Sequence, residues 1–366
     1  MNIAIICSTP FQTFNAINLV INEFERKEYK VDLYYRNFDN NSDEILNKIK
    51  KARLFDNIYS FDFIYKKNLI KYIMNVFYQI FYPEKYINLV LKDKEDLTKK
   101  SYDLITVTSG TEFEVAMTRL FPNARTIAYD DGIGSYVGDI IHDQCLNWFW
   151  LLVRSTKHIN PECLYINNIS FCESKISTKY INLKRYQDCN EIYKRNINQI
   201  FSYNKYSLYR SKTIVYLTQP MQEFSSNVDA LEFELQQVLL KYSSDTIIRK
   251  HPRDSVQANT QITIDKSNLL WELICAKELH EKHVLISVCS TAQMTPKLMF
   301  NKEPYLIFTY KIFIKKINNR DLKVIESIVN KICDLYINKE KVLIPKSISE
   351  FQECLQNIKF DTKLVN

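Results

Sequence analysis

Glycine is nearly absent, at four residues in 366. Ile, Asn, Lys and Tyr are abundant beside it, the pattern an AT-rich genome produces, so the scarcity itself carries little. Where the four fall carries more. The nine cysteines are scattered, with no C-x-x-C and no paired His/Cys spacing, which excludes a structural zinc site. An odd count of unpaired spacings reads as reduced thiols in a cytoplasmic protein. No run approaches the ~18–20 apolar residues of a membrane span. The opening Met1-Asn2-Ile3-Ala4-Ile5-Ile6-Cys7 is too short and uncharged for a signal sequence and reads as a buried parallel strand. There is no internal repeat and no low-complexity tract. Charge of one sign is not concentrated either. A net +7 with dispersed Lys and Arg and no recognition motif excludes nucleic acid as a partner, while suiting an anionic donor, acceptor or membrane surface.

What is present is an ordinary globular composition, 46% hydrophobic and 25% charged. The length favours two domains, at roughly 100–200 residues each. Strand-like runs Ile3–Ser8, Val31–Tyr35, Ile58–Phe63, Leu104–Thr108 and Thr126–Tyr129 alternate with helical stretches Phe11–Phe24 and Ser42–Ala52. The alternation restarts with strands at Thr213–Leu217, Thr246–Arg249, Val284–Val288 and Tyr305–Phe308. Buried apolar strands in β-α order predict a parallel, doubly wound sheet in each half. The expected fold is therefore α/β of GT-B type, two Rossmann-like domains facing a cleft. The expected divisions are an acceptor-side domain over 1–150, a linker over 151–211, a donor-binding domain over 212–345, and a C-terminal helix over 346–366 packing back on the first domain. One long amphipathic segment, Tyr65 to about Leu91, is read as a helix packed on the sheet, with a membrane-surface helix as the alternative.

Three stretches carry chemistry, each just after a strand, where open α/β sheets bind ligands. The first is Tyr129-Asp130-Asp131-Gly132-Ile133-Gly134-Ser135-Tyr136-Val137-Gly138, which holds three of the four glycines. Glycine allows positive φ and close backbone approach. Two carboxylates there are poor core material and suit a general base or a metal clamp; a solvated acidic turn is the plainer reading. The fourth glycine, Gly110, follows another strand and precedes a helix start that could receive an anion. The second stretch is Arg249-Lys250-His251-Pro252-Arg253, a proton donor among cations that would attract phosphate. A basic surface turn explains it equally well. The third is Ser287-Val288-Cys289-Ser290-Thr291, hydroxyls at a helix start, suited to capping or to holding a phosphate. Gln219, in Leu217-Thr218-Gln219-Pro220-Met221-Gln222-Glu223, ends the first strand of the second half. His142, His158, His280 and His283 lack companions and are read as structural.

Together, Asp130-Asp131-Gly132, His251-Pro252, Ser290-Thr291 and the opening Cys7-Ser8-Thr9-Pro10-Phe11-Gln12 resemble the bacterial sialyltransferases of glycosyltransferase family 52 in order and separation. The resemblance implies a GT-B fold and inverting transfer from CMP-sialic acid to a galactose-type hydroxyl. It implies that His251 protonates the departing phosphate, that Ser290 and Thr291 hold it, and that Glu272 meets the nucleotide ribose. Lys250, Pro252, Arg253, Gly110 and Gln219 complete the expected donor side. Pro10, Gln12, Gly132, Gly134, Ser135 and Tyr136 form the expected acceptor-side loop. Where a relative places its base aspartate after a proline, this chain has Met221. The base is then expected at Asp131, since sialyltransferases of another family use the same type of Asp-Asp-Gly loop, with Asp130 and Glu223 in reserve. No metal or other cofactor is expected. The implied partners are CMP-sialic acid and a galactose-terminated oligosaccharide or lipid-linked glycan of lipooligosaccharide or capsule, with room for a homodimer. The expected location is cytoplasmic, peripheral on the inner face of the membrane at most. The alternatives are a UDP-sugar transferase on the same scaffold, with a metal on Asp130-Asp131, and a catalytically silent glycan-binding protein.

Overall fold

The computed structural model describes residues 1–24, 28–36, 42–62, 69–93, 95–108, 110–136, 159–172, 179–203, 208–221, 228–251, 254 and 258–363. It divides into two units, Met1–Ser202 and Tyr203–Asn366.

The first unit is built on seven parallel strands: β1 (Asn2–Cys7), β2 (Lys30–Arg36), β3 (Asn57–Phe61), β4 (Leu104–Val107), β5 (Arg125–Tyr129), β6 (Cys163–Ile166) and β7 (Lys179–Asn182). Their order is β3-β2-β1-β4-β5-β6-β7. Ile3 to Cys7 are all within 1% of full burial, as a central parallel strand covered on both faces must be. Helix α1 (Pro10–Asn22) starts where Thr9 caps it, accepting from the Gln12 N–H, with Pro10 in the first turn where its missing donor costs nothing.

Helices α2 (Ser42–Ala52), α3 (Leu69–Phe81), α4 (Pro83–Val90) and α5 (Glu112–Leu120) follow. The stretch read as one amphipathic helix is two, because Pro83 cannot donate to the preceding turn and opens α4 instead. Its buried side meets α5, with Gln79 Nε2 donating to the Glu112 carbonyl at 2.7 Å. Helix α6 (Glu191–Ile200) closes the unit.

The expected linker is a correction. Within 151–211, β6 pairs with β5, β7 pairs with β6, and α6 packs on α1 and α2, so the described residues from 159 to 202 complete the first unit and those from 203 on belong to the second. Two four-residue strands without helical or alternating periodicity leave little trace in the sequence.

The second unit holds six parallel strands: β8 (Ile214–Leu217), β9 (Thr246–Arg249), β10 (Thr263–Ile264), β11 (Val284–Ser287), β12 (Tyr305–Phe308) and β13 (Val342–Leu343). The order is β10-β9-β8-β11-β12-β13. Renumbered from its own first strand, that is the 3-2-1-4-5-6 order of a dinucleotide-binding sheet, and the first six strands of the first unit share it. Both sheets therefore have a switch point, β1/β4 in one and β8/β11 in the other. The helices are α7 (Asp229–Leu240), α8 (Trp271–Lys277), α9 (Thr291–Phe300), α10 (Asn319–Leu335) and α11 (Ile348–Lys363). Helix α9 ends on Asn301 in the left-handed region at φ 53°. Helix α11, expected to pack on the first domain, belongs to the second unit and packs on α7, where Lys241 Nζ donates to Gln352 Oε1 at 2.9 Å.

Candidate active site

At the first switch point, β1, β4 and β5 end side by side, and the Asp-Asp-Gly loop leaves β5. Its two carboxylates have opposite environments. Asp130 is 1% exposed. Its Oδ1 accepts from Gly132 N–H at 2.8 Å; its Oδ2 accepts from Tyr136 O–H at 2.5 Å and from Asn167 Nδ2 at 2.8 Å and N–H at 3.3 Å. Burial raises its pKa, and these donors hold it back. Asn15 Nδ2 adds a bond to the Asp130 carbonyl at 3.0 Å. Asp130 is thus the post around which the loop is wound, and its reading as a reserve base is corrected: both oxygens face the interior.

Asp131 is half-buried at the strand end. Gln12 Nε2 donates to its Oδ1 at 2.6 Å and to Thr108 Oγ1 at 3.2 Å, while Gln12 Oε1 accepts from Ser8 N–H at 2.5 Å. One amide therefore ties together the ends of β1, β4 and β5. Beneath it, fully buried Glu114 accepts from Thr108 N–H at 2.6 Å, Thr108 Oγ1 at 2.8 Å and Thr111 N–H at 2.6 Å, completing a capping box on α5. Burial raises the Glu114 pKa against these donors.

The remaining loop residues sort themselves by geometry. Gly132 and Gly110 have φ of 109° and 70°, positive values that favour glycine, most strongly at Gly132. Gly134 has no such φ, and a Cβ there would meet nothing within 4 Å. Ser135 and Tyr136 are turned inward. Ser135 Oγ accepts from Asp131 N–H at 2.8 Å, and the Tyr136 ring meets Phe171 edge-on at 5.3 Å. Both serve the loop's shape, which corrects their reading as acceptor-facing. Pro10 starts α1, shortly after the end of β1. Asn15, Thr108, Glu114 and Asn167 were not singled out by sequence. The available signal was the run Gln12, Asn15, Asn18 and Asn22, a polar stripe at helical spacing on a helix that is otherwise apolar and mostly buried.

At the second switch point, β9, β8 and β11 lie side by side, with Leu217 level with Arg249 and Tyr216 level with Ile286. His251 and Ser290 follow strands two positions apart, about 10 Å by strand spacing. The loop after β8 ties to both. Thr218 Oγ1 accepts from His251 N–H at 3.1 Å. Gln219 donates from Nε2 to the Cys289 carbonyl at 3.1 Å and accepts from Cys289 N–H at Oε1 at 2.7 Å. Gln219 is thereby committed to the scaffold rather than to a donor. Met221 is buried, so the position where a relative carries its base is core here.

Ser290 is half-buried and caps α9, its Oγ accepting from Ala292 N–H at 3.3 Å, and its own N–H is held by Ser287 Oγ at 2.9 Å. Thr291 opens the helix. Lys250 and His251 are half-buried. Arg249 turns the other way. Its NH1 reaches Asp265 Oδ2 at 2.5 Å, its NH2 the Leu269 carbonyl at 2.7 Å, and its guanidinium lies 5.5 Å from the centroid of the Trp271 ring. That ion pair holds the Asp265 carboxyl below its ordinary range, against the opposing effect of burial. Trp271 Nε1 donates to the Ala292 carbonyl at 2.7 Å, so α8, carrying buried Glu272, is braced against the start of α9. Pro252, Arg253 and Glu223 lie outside the described residues. Among the described residues no group of three or more His, Cys, Asp or Glu is placed to hold a metal, and no helix is long and apolar enough to cross a membrane.

No protein-family model matches the chain, and no curated protein matches it. Solved structures do. A spinosyn rhamnosyltransferase, SpnG, complexed with thymidine diphosphate aligns over 99% of this chain and 92% of its own, with 8% identity and a TM-score of 0.55. The GT-B domain of a sialyltransferase from Photobacterium damselae aligns over 94% and 100%, with 12% identity and a TM-score of 0.51. The glycotransferase of kitacinnamycin aligns over 98% and 90%, with 8% identity and a TM-score of 0.51. At such identities the likeness is one of fold: the chain has the two Rossmann-like α/β domains of the GT-B class.

Proposed function

We propose that the protein is a glycosyltransferase and, within that class, an inverting sialyltransferase that moves sialic acid from CMP-sialic acid to a galactose-type hydroxyl of a bacterial surface glycan. The observation that carries the reading is the division of labour in Asp130-Asp131. One carboxylate is spent on the loop, and the other is presented at a strand end by a side-chain amide. That arrangement suits a positioned base better than a two-carboxylate metal clamp, because both Asp130 oxygens are already engaged.

In this reading Asp131 takes the proton from the acceptor hydroxyl as its oxygen attacks the anomeric carbon. The bond from that carbon to the CMP phosphate oxygen breaks, and His251 delivers a proton to the departing phosphate. Ser290, Thr291 and the positive end of the α9 dipole hold that phosphate. A nucleoside monophosphate carries a single phosphate, so one acid and a few donors suffice and turnover needs no divalent metal. Lys250 and Arg253 add attraction for the anion, and Glu272 would meet the ribose. The acceptor would be a galactose-terminated oligosaccharide or lipid-linked glycan, with the enzyme on the cytoplasmic side of the membrane.

The test is incubation of the purified chain with CMP-sialic acid and a panel of galactosides, with and without chelator, scoring CMP release. Chelator-resistant release that requires a galactoside supports the proposal. Turnover of UDP-sugars that needs manganese would replace the donor, and CMP binding without turnover would make the protein a binder.

A further inference from the structure

Helices α3 and α4 bury one side against α5, through Val76, Gln79, Tyr86 and Ile87, and leave another side apolar and open. Met74, Phe77 and Phe81 follow one another at spacings of three and four on α3, 47%, 48% and 64% exposed, and Tyr82 and Leu89 extend the patch at 47% and 57%. Phe77 lies 5.0 Å from Phe81 and 5.7 Å from Tyr82, so the rings form one surface and not scattered exposures. Exposed Lys85 lies at its edge, its ammonium 4.9 Å from the centre of the Tyr82 ring. From Leu69 to Lys92 the chain has three lysines, Lys71, Lys85 and Lys92, against one acid, Glu84.

We infer that this face is a docking surface for an anionic lipid bilayer. The charge at its edge favours a bilayer over a second protein. Five large side chains about half exposed, at roughly 200 Å² each, offer about 500 Å² of apolar surface to the acyl boundary. Apolar rings gathered on one side with the exposed Lys85 ammonium at their edge are the form that seats in the headgroup region, where the rings enter the acyl boundary and the ammonium meets lipid phosphates. The inference is independent of the proposed chemistry, since vesicle binding is read without substrate.

The experiment is co-sedimentation of the full chain with phosphatidylcholine vesicles, with and without phosphatidylglycerol, for wild type and for the Phe77→Ser/Phe81→Ser and Lys85→Glu variants. Thermal melting confirms that each variant is folded, and sedimentation velocity gives the oligomeric state. Wild type should bind the anionic vesicles and lose affinity as salt rises. Each half-exposed ring contributes about 5-fold to partitioning, so the double variant should bind ~25-fold more weakly. Lys85→Glu should weaken binding to anionic vesicles while leaving the weak binding to neutral ones unchanged. Absence of wild-type binding, or equal binding by the double variant, overturns the assignment. A wild-type dimer that the double variant dissociates, with no vesicle binding, would make the face a contact between copies.

Discussion

The two adjacent aspartates should separate cleanly under mutation, one failing in stability and the other in chemistry. Replacing Asp130 with alanine strands the Tyr136 hydroxyl and the Asn167 side-chain amide in a site where Asp130 itself is 1% exposed. Gly132 N–H also loses its acceptor, nearer the surface. An unsatisfied buried donor costs about 1–3 kcal/mol, so the two inner donors and part of the third give about 3 kcal/mol. For a unit of roughly 200 residues that is a fall in melting temperature of about 6–12 °C. Asp131→Asn leaves these bonds intact and keeps an oxygen for the Gln12 amide, so it should melt within about 2 °C of wild type, under 1 kcal/mol. Its transfer rate should fall ~10²-fold or more, the usual contribution of a general base. Differential scanning fluorimetry and CMP release, run on the same preparations, read both effects. A stable but inactive Asp130→Ala beside a fully active Asp131→Asn would refute the division of roles.

Three other outcomes are expected. His251→Ala should lose ~10²–10⁴-fold in transfer, whereas Ser290→Ala, which removes one hydrogen bond to a charged phosphate worth ~1.5–3 kcal/mol, should lose roughly 10–100-fold, both read from CMP release. Gln12→Glu places a second carboxylate against Asp131, so its proton is held more tightly and the acidic limb of the pH–rate profile should move to higher pH, while Gln12→Ala, which only removes a donor to the carboxylate, should move it less in the same direction. Glu232, buried on α7 and hydrogen-bonded by Tyr216 O–H, is pushed up to about 7, first by burial, with Asp254 and Asp229 adding to it. A raised acid favours the folded state below its unfolded pKa and loses that contribution as pH rises through the folded value. Urea titrations should therefore show about 3 kcal/mol of stability draining between about pH 4.5 and 7 in wild type, and Glu232→Gln should flatten that slope.

Most of the scaffold was legible because long buried strands and capped helices write strong patterns. Ile3–Cys7 and Val284–Ile286 are continuous apolar runs, Leu104–Val107 is broken only by Thr106, and Thr9, Thr111 and Ser290 stand where helices start. What escaped was short or polar. Strands β10 and β13 have two residues each, too few for any period, and β6 and β7 sit in a stretch without periodicity. Of the candidate site, the placement was legible: the Asp-Asp-Gly, His and Ser-Thr stretches follow strands at or beside the two switch points. The roles inside each stretch were not. Nothing in the string Asp130-Asp131 says which carboxylate points inward; that depends on Tyr136, Asn15 and Asn167, the last of which arrives from a part of the chain read as linker. Gln219 misled for a related reason: a carboxamide at a strand end looks equally fit for a ligand and for a neighbouring backbone.

The Gln219 contact has one more consequence. By giving a hydrogen bond to the Cys289 carbonyl and taking one from the Cys289 N–H, its side chain behaves as a borrowed peptide group. It makes the reciprocal exchange that two facing residues make in an antiparallel pair. The β8/β11 seam is thus stitched three residues past Tyr216 and Ile286, its last main-chain pair. The Cys289 amide should exchange with deuterium as slowly as a strand amide although no strand contains it. Gln219→Leu, which removes the acceptor and the donor together, should unpick the rung and release that protection.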